Sequence, residues 1–408
     1  MKHKMLCLLA ALMSAALILA SCGGQSGEKS AAAGNADAEF IIGNGAEPQS
    51  LDPAKVQGVP EHRINLALFE GLVTYDPKTG NAIPGVAESW DISEDGMTYT
   101  FHLRKAEWSD GTPITAKTFV DSWLRTLNPE TGSQYAFMIS LIVEGADDYN
   151  TGKADASAVG IRAVDDMTFE VQLTGPAPYA IDVIAHYAFN AVPIHTIEKF
   201  GTDWIKPGNF VGNGPFVLES WVPQERVTVV PNEKYWNKEN VHLSRITFLP
   251  IEDSNTAFEK YKAGEIDWNT GIPVPRIDEV KQLSDYQVAP QLSTYYYIFN
   301  VKRGPLQDAR VRRALTMALD REELVEKVTK AGQLATRSIV PPMAGYTPGE
   351  GAGFDPEQAK RLLAEAGYPD GKGFPVLTVI YNTLEGHKLI AEYVQESWKR
   401  NLGIDIKI

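Results

Sequence analysis

Residues 291–300 read QLSTYYYIFN, and three consecutive tyrosines inside an apolar run pose the first question about this chain. Apolar and aromatic residues bounded by polar ones read as a β-strand, and a strand sends neighbouring side chains to opposite faces. Tyr296 therefore points away from the side that holds Tyr295 and Tyr297. If one face is core, at least one phenol looks onto something else. Tyr295 and Tyr297 are expected in the interior.

Outward from this stretch, strands and helices alternate without an internal repeat, the pattern of an α/β chain. In MTYTFHLR (97–104), Met97, Tyr99, Phe101 and Leu103 alternate with polar residues, which predicts a half-buried strand. Thr115 can cap a following helix with Phe119, Val120, Trp123, Leu124 and Leu127 on one face. MTFEVQL, RVTVVP and LSRITFLPI read as further strands, and NTAFEKYKAGEID as a short helix closed by Gly264. Asp320 with Glu323, and Asp355 with Pro356 and Gln358, predict capping boxes for two more helices; Gly332 and Gly367 lie past their ends. PVLTVIYN then predicts a strand and HKLIAEYVQESWKRNLG a helix. The last residues, IDIKI, place Ile404, Ile406 and Ile408 as the buried face of a strand, and a pattern that stops there suggests a truncated chain.

The first 21 residues read as an export signal. MKHK is basic, MLCLLAALMSAALILA is apolar but short for a membrane span, and LASC (19–22) puts small residues before Cys22. Leu-Ala-Ser-Cys resembles the bacterial lipobox, which implies cleavage before Cys22 and its acylation. Residues 22–37 are small and polar, as a flexible tether is. Cys7 leaves with the signal, so a disulfide framework is excluded and stability rests on a large core. The formal charge is −14, and loss of Lys2 and Lys4 makes the remainder more acidic. Such a chain repels nucleic-acid phosphates and lacks a polybasic membrane anchor.

Signatures of catalysis are absent. There is no H-E-x-x-H, G-x-x-x-x-G-K-[ST] or G-x-S-x-G. The seven histidines show no metal-ligand spacing. IIGNGAE lacks the third glycine of a dinucleotide loop. Asp147–Asp148 and Asp165–Asp166 sit in polar stretches where solvated surface is expected. No enzyme activity and no cofactor are expected.

Ten stretches in register resemble one family. They are EPQSLDPAKVQGVPE (47–61), LFEGL (68–72), PGVAESW (84–90), TFHLRKAEWSDGTPITA (100–116), GNGPFVLESW (212–221), NEKYWN (232–237), AGEID (263–267), TYYYIFN (294–300), DARVRRALTMALDREELV (308–325) and AKRLLAEAGY (359–368). Together they are similar to the family 5 extracellular solute-binding proteins, the oligopeptide-binding branch of bacterial ABC importers. The resemblance implies a two-lobed α/β fold of the periplasmic-binding type with an extra domain inserted in lobe I. Lobe I would comprise 38–70 and 197–290, the insert 71–196, and the second lobe 291–408. It also implies a monomer that closes around an extended peptide and delivers it to membrane permease subunits, lipid-anchored through Cys22 at the cell envelope.

A carrier of many peptides has to hold what every peptide shares, its backbone, while side chains enter roomy hydrated pockets. Carried over by position, the family's peptide contacts would fall on Gln57, Val59 (through its backbone), Tyr135, Ser293 (through its backbone), Tyr296 and His387. Gln57 and Ile298 stand where a family member has glutamates, and Ser293 where it has a cysteine; the lost carboxylates should disfavour basic peptide side chains. The residues that grip the peptide's two ends would lie beyond residue 408. The helix signatures at 308–325 and 359–368 read as structural, and Gly212, Gly214 and Pro215 as shaping a strand entrance. Other readings are a murein-peptide, dipeptide, nickel or haem carrier, or a peptide-pheromone sensor. A secreted hydrolase would need a catalytic constellation that the sequence lacks.

Overall fold

Alternation does its work first in the strand Thr98–Leu103, where Tyr99, Phe101 and Leu103 are buried and the residues between them are half-exposed. This strand lies between Ala87–Ile92 and Thr168–Gln172, and Ile161–Asp165 completes a four-stranded antiparallel sheet. The computed structural model describes residues 38–289, 291–342 and 346–408. The signal, Cys22 and the tether through residue 37 lie outside the described residues.

The helix Ala116–Leu127 covers this sheet. Thr115 makes a reciprocal capping box with Thr118, and Phe119, Trp123 and Leu127 are fully buried. Trp123 meets Phe169 edge-on at 5.1 Å and Phe189 at 5.0 Å, and its indole N–H donates to the Phe189 carbonyl at 2.8 Å. Burying a large aromatic ring satisfies the hydrophobic term, and the carbonyl satisfies its one polar atom.

A second sheet has five strands in the order 216–222, 226–231, 245–249, 39–43 and 268–269. Glu39–Gly43 runs parallel to Arg245–Leu249 and to Trp268–Asn269, whereas Arg226–Pro231 pairs antiparallel with both Phe216–Val222 and Arg245–Leu249. Gly212 and Gly214 enter this sheet against the end of the Val59–Leu68 helix, where a Cβ would collide with the Leu68 carbonyl or the Phe69 amide. Only hydrogen fits there, as the sequence reading of a strand entrance requires. One continuous hydrophobic cluster spans both sheets, from Ile42 through Phe101 and Phe169 to Phe248.

A separate core gathers Val311, Leu315, Leu363, Val394, Trp398, Leu402, Ile404 and Ile406. Its helices are Ala309–Met317, Pro356–Glu365 and Glu385–Leu402. Trp398 donates from its indole to the Leu315 carbonyl at 2.9 Å.

QLSTYYYIFN forms no strand: residues 291–300 have no ladder partner among the described residues, and a strand exists only by pairing. Tyr295 is 49% exposed and is not a core residue, while Tyr297 is half-buried against the second core. PVLTVIYN shrinks to Leu377–Thr378, paired in parallel with Ile406–Lys407, and Ile408 is exposed while Ile404 and Ile406 are buried. Asp320 and Asp355 cap their helices as read, accepting from the Glu323 and Gln358 amides at 2.9 and 2.8 Å. The reciprocal halves of those boxes do not form. Glu323 binds Lys327 and Tyr393 instead, and Gln358 accepts from Arg361. The helix after Asp320 widens into a π-helix over Leu324–Thr329 and ends at Lys330, before Gly332.

Candidate functional site

The stretch 47–61 forms a turn and a helix start. The Asp52 carboxylate accepts from the Ala54 amide at 3.0 Å, and its carbonyl accepts from Lys55 and Val56 at 2.8 and 3.2 Å. Gly58 is the helix N-cap, with Val59 and Pro60 as the first helical residues. A Cβ at Gly58 would strike the Glu61 carboxylate, which turns back to accept from the Gln49 amide at 3.0 Å. The geometry leaves Gln57 and Val59 exposed, Val59 at 56%.

Behind these two residues stands an aromatic wall. The Tyr135 hydroxyl donates to the Gln57 carbonyl at 3.5 Å, and the Tyr187 hydroxyl donates to the Val56 carbonyl at 3.4 Å. Tyr135 packs against His186, Tyr187 and Phe137 at 5.0, 5.6 and 5.8 Å, and His186 lies 4.0 Å from Tyr187. His62 closes the cluster, 5.2 Å from Tyr187, with its Nδ1 buried and unpartnered among the described residues. Burial, with His62 nearby, pulls the His186 imidazole down to about 4; burial and the neighbouring Arg63 also lower His62. The neutral form fits the hydrogen bonding, since His186 Nδ1 accepts from the Ala188 amide at 3.2 Å.

The remaining sequence-selected positions belong to the second core's side. Ser293 is exposed and Tyr296 is 54% exposed. His387 lies in the first turn of the Glu385–Leu402 helix, half-buried, with its pKa lowered by burial. Its ring meets Tyr295 at 4.7 Å, and Tyr295 meets Tyr297 edge-on at 5.9 Å. The structure thus brings Gln57, Val59 and Tyr135 together, and sets His387 in the same tyrosine cluster as the 293–297 segment. The two sides touch where Ser254 Oγ donates to the Glu385 carboxylate at 2.8 Å and Thr383 Oγ1 to Glu252 at 3.4 Å.

Sequence reading missed Tyr295 as the partner of His387, and missed His62, His186 and Tyr187 as the wall behind Gln57. HYAFN (186–190) carries no spacing signal; only the fold brings it to Tyr135. Among the described residues no group of three or more His, Cys, Asp or Glu side chains could hold a metal ion. No described helix is long and apolar enough to cross a membrane.

Two separate hydrophobic cores, meeting at polar contacts such as Ser254–Glu385, fit a two-lobed α/β protein of the binding-protein class. The description "Bacterial extracellular solute-binding proteins, family 5 Middle" matches residues 81–408. The chain is 41% identical over 381 residues to the periplasmic oligopeptide-binding protein OppA of Escherichia coli K12, covering 90% of this chain and 70% of that one. It is 42% identical over 380 residues to the periplasmic murein peptide-binding protein MppA of the same organism, covering 89% and 69%. A crystal structure of a periplasmic oligopeptide-binding protein from Borrelia burgdorferi superposes with a TM-score of 0.87 at 40% identity, covering 91% of this chain and 75% of that one. The chain belongs to the family 5 bacterial extracellular solute-binding proteins. Its members bind solutes and are not enzymes.

Proposed function

We propose that this protein is the peptide-binding component of an ABC importer at the cell envelope, tethered by a lipid on Cys22. It takes up extended oligopeptides mainly through their backbone, between lobe I (38–70 and 197–290, with 71–196 inserted) and the second lobe (291–408). The observation that carries this reading is the identity with an oligopeptide-binding relative over nine-tenths of the chain. The geometry agrees with it. The exposed backbone at Gln57 and Val59 is backed by Tyr135, and on the second core's side Tyr296 and Ser293 are exposed, with His387 beside Tyr295. An extended ligand can hydrogen-bond to such backbone without its side chains being read.

The murein-peptide reading is kept because the murein peptide-binding relative is as similar as the oligopeptide-binding one. Native mass spectrometry of the purified chain separates them. Co-purifying peptides of mixed sequence support broad capture. A single species containing D-residues supports the murein reading, and recovery of no peptide from any preparation overturns both.

A further inference from the structure

The loop that carries Gln57 and Val59 is held almost entirely from one direction. Arg125, on the Ala116–Leu127 helix, sends Nη1 and Nη2 to the two carboxylate oxygens of Asp52 at 3.0 and 2.5 Å. The Asp52 side chain is 4% exposed and that of Arg125 17%. The same carboxylate caps Ala54 and so starts the turn that ends at Gly58. Farther along, the Tyr187 and Tyr135 hydroxyls make longer contacts to the Val56 and Gln57 carbonyls, at 3.4 and 3.5 Å. All three outside anchors, Arg125, Tyr135 and Tyr187, come from residues 71–196.

From this geometry we infer that Arg125 is a positioning residue for ligand binding, and that the 71–196 segment acts as a clamp fixing loop 52–59 in the shape that presents Gln57 and Val59. The inference rests on the peptide-binding reading above. Its physical content is preorganisation. A loop whose turn is fixed before the ligand arrives loses less entropy on binding than one that orders around the ligand. A planar guanidinium suits the task, because two parallel hydrogen bonds fix orientation as well as distance, which a lysine ammonium cannot do. Burial makes the pair sensitive to loss of one member, since the other is left as an uncompensated charge.

The test uses the full chain, with trialanine as probe in titration calorimetry and hydrogen exchange read at the Ala54, Lys55 and Val56 amides. Arg125→Met is expected to weaken the Kd by about tenfold or more and to speed exchange at those three amides. Arg125→Lys is expected to recover part of both. Asp52→Asn combined with Arg125→Met should cost less than the two single losses together, because both remove one interaction. Val171→Ala, in the four-stranded sheet, supplies a control for general destabilisation; it should lower the melting temperature without changing either readout. Parental affinity in Arg125→Met, or unchanged exchange at the three amides, overturns the inference. So does an equal effect in Val171→Ala. If the parent protein binds no peptide, the peptide-binding reading fails. The exchange arm then still decides whether Arg125 holds the loop, supporting the clamp if only Arg125→Met is faster and overturning it if not.

Discussion

The side chains of Ser254 and Glu385 meet at 2.8 Å, joining the first residue of one helix to the first of another that packs in the second core. With Thr383–Glu252 at 3.4 Å beside it, this is a narrow polar seam between two bodies with separate interiors. Polar, partly exposed contacts of this kind contribute about 1 kcal/mol or less each and are easily exchanged for water. Replacing Ser254 by Ala and Thr383 by Val should therefore leave the melting temperature nearly unchanged. It should raise the radius of gyration of the ligand-free protein in small-angle X-ray scattering. An unchanged radius would show that the seam does not hold the bodies together.

His186 makes stability depend on acidity. In the folded protein it protonates only near pH 4, whereas in the unfolded chain it does so near its ordinary value of 6.5. Between those values the unfolded state binds more protons, so acid favours unfolding. The stabilising contribution is full above about pH 6.5 and declines as pH falls towards 4. Melting curves across that window should show the loss in the parent and a shallower one in His186→Asn, which keeps an acceptor for the Ala188 amide. Parallel curves would show that His186 is not the group responsible.

Tyr297 carries a hydroxyl buried without a hydrogen-bond partner among the described residues. Such a group bears a desolvation cost of roughly 1–3 kcal/mol with nothing in return. Tyr297→Phe keeps the ring against the second core and is expected to leave stability unchanged or to raise it by about 1 kcal/mol. Chemical denaturation of both proteins measures this, and a clear loss would reveal a partner for the oxygen.

Tyr296 should behave in the opposite way. At 54% exposure its ring contributes little to the folded state, so Tyr296→Ala is expected to shift stability by no more than about 0.5 kcal/mol. Peptide affinity, if the ring faces the ligand, should fall about tenfold, the scale of a lost aromatic contact. Calorimetric titration with trialanine beside a melting curve checks both halves.

Local patterns in the sequence were legible where one element met one core face. The alternation of Tyr99, Phe101 and Leu103 and the helical spacing of Phe119, Trp123 and Leu127 needed no partner to be read, and the structure buries all six residues. Gly212 and Gly214 were legible because backbone crowding leaves only one residue type. The tyrosine triplet misled because alternation describes a strand's sides but cannot supply its neighbours. The reciprocal caps at Glu323 and Gln358 failed because nearby cations and Tyr393 competed for the same oxygens. Asp52 and Arg125 stand 73 residues apart, and no periodicity links them. The positions selected for ligand contact came from resemblance, and the wall of His62, His186 and Tyr187 behind them emerged only from tertiary packing.

The shared interior that runs beneath both the four-stranded and the five-stranded sheets has a mechanical meaning. Close-packed side chains resist shear, so everything from Ile42 to Phe248 travels as one stiff arm. A movement of the second core relative to this arm would leave the arm's own shape intact.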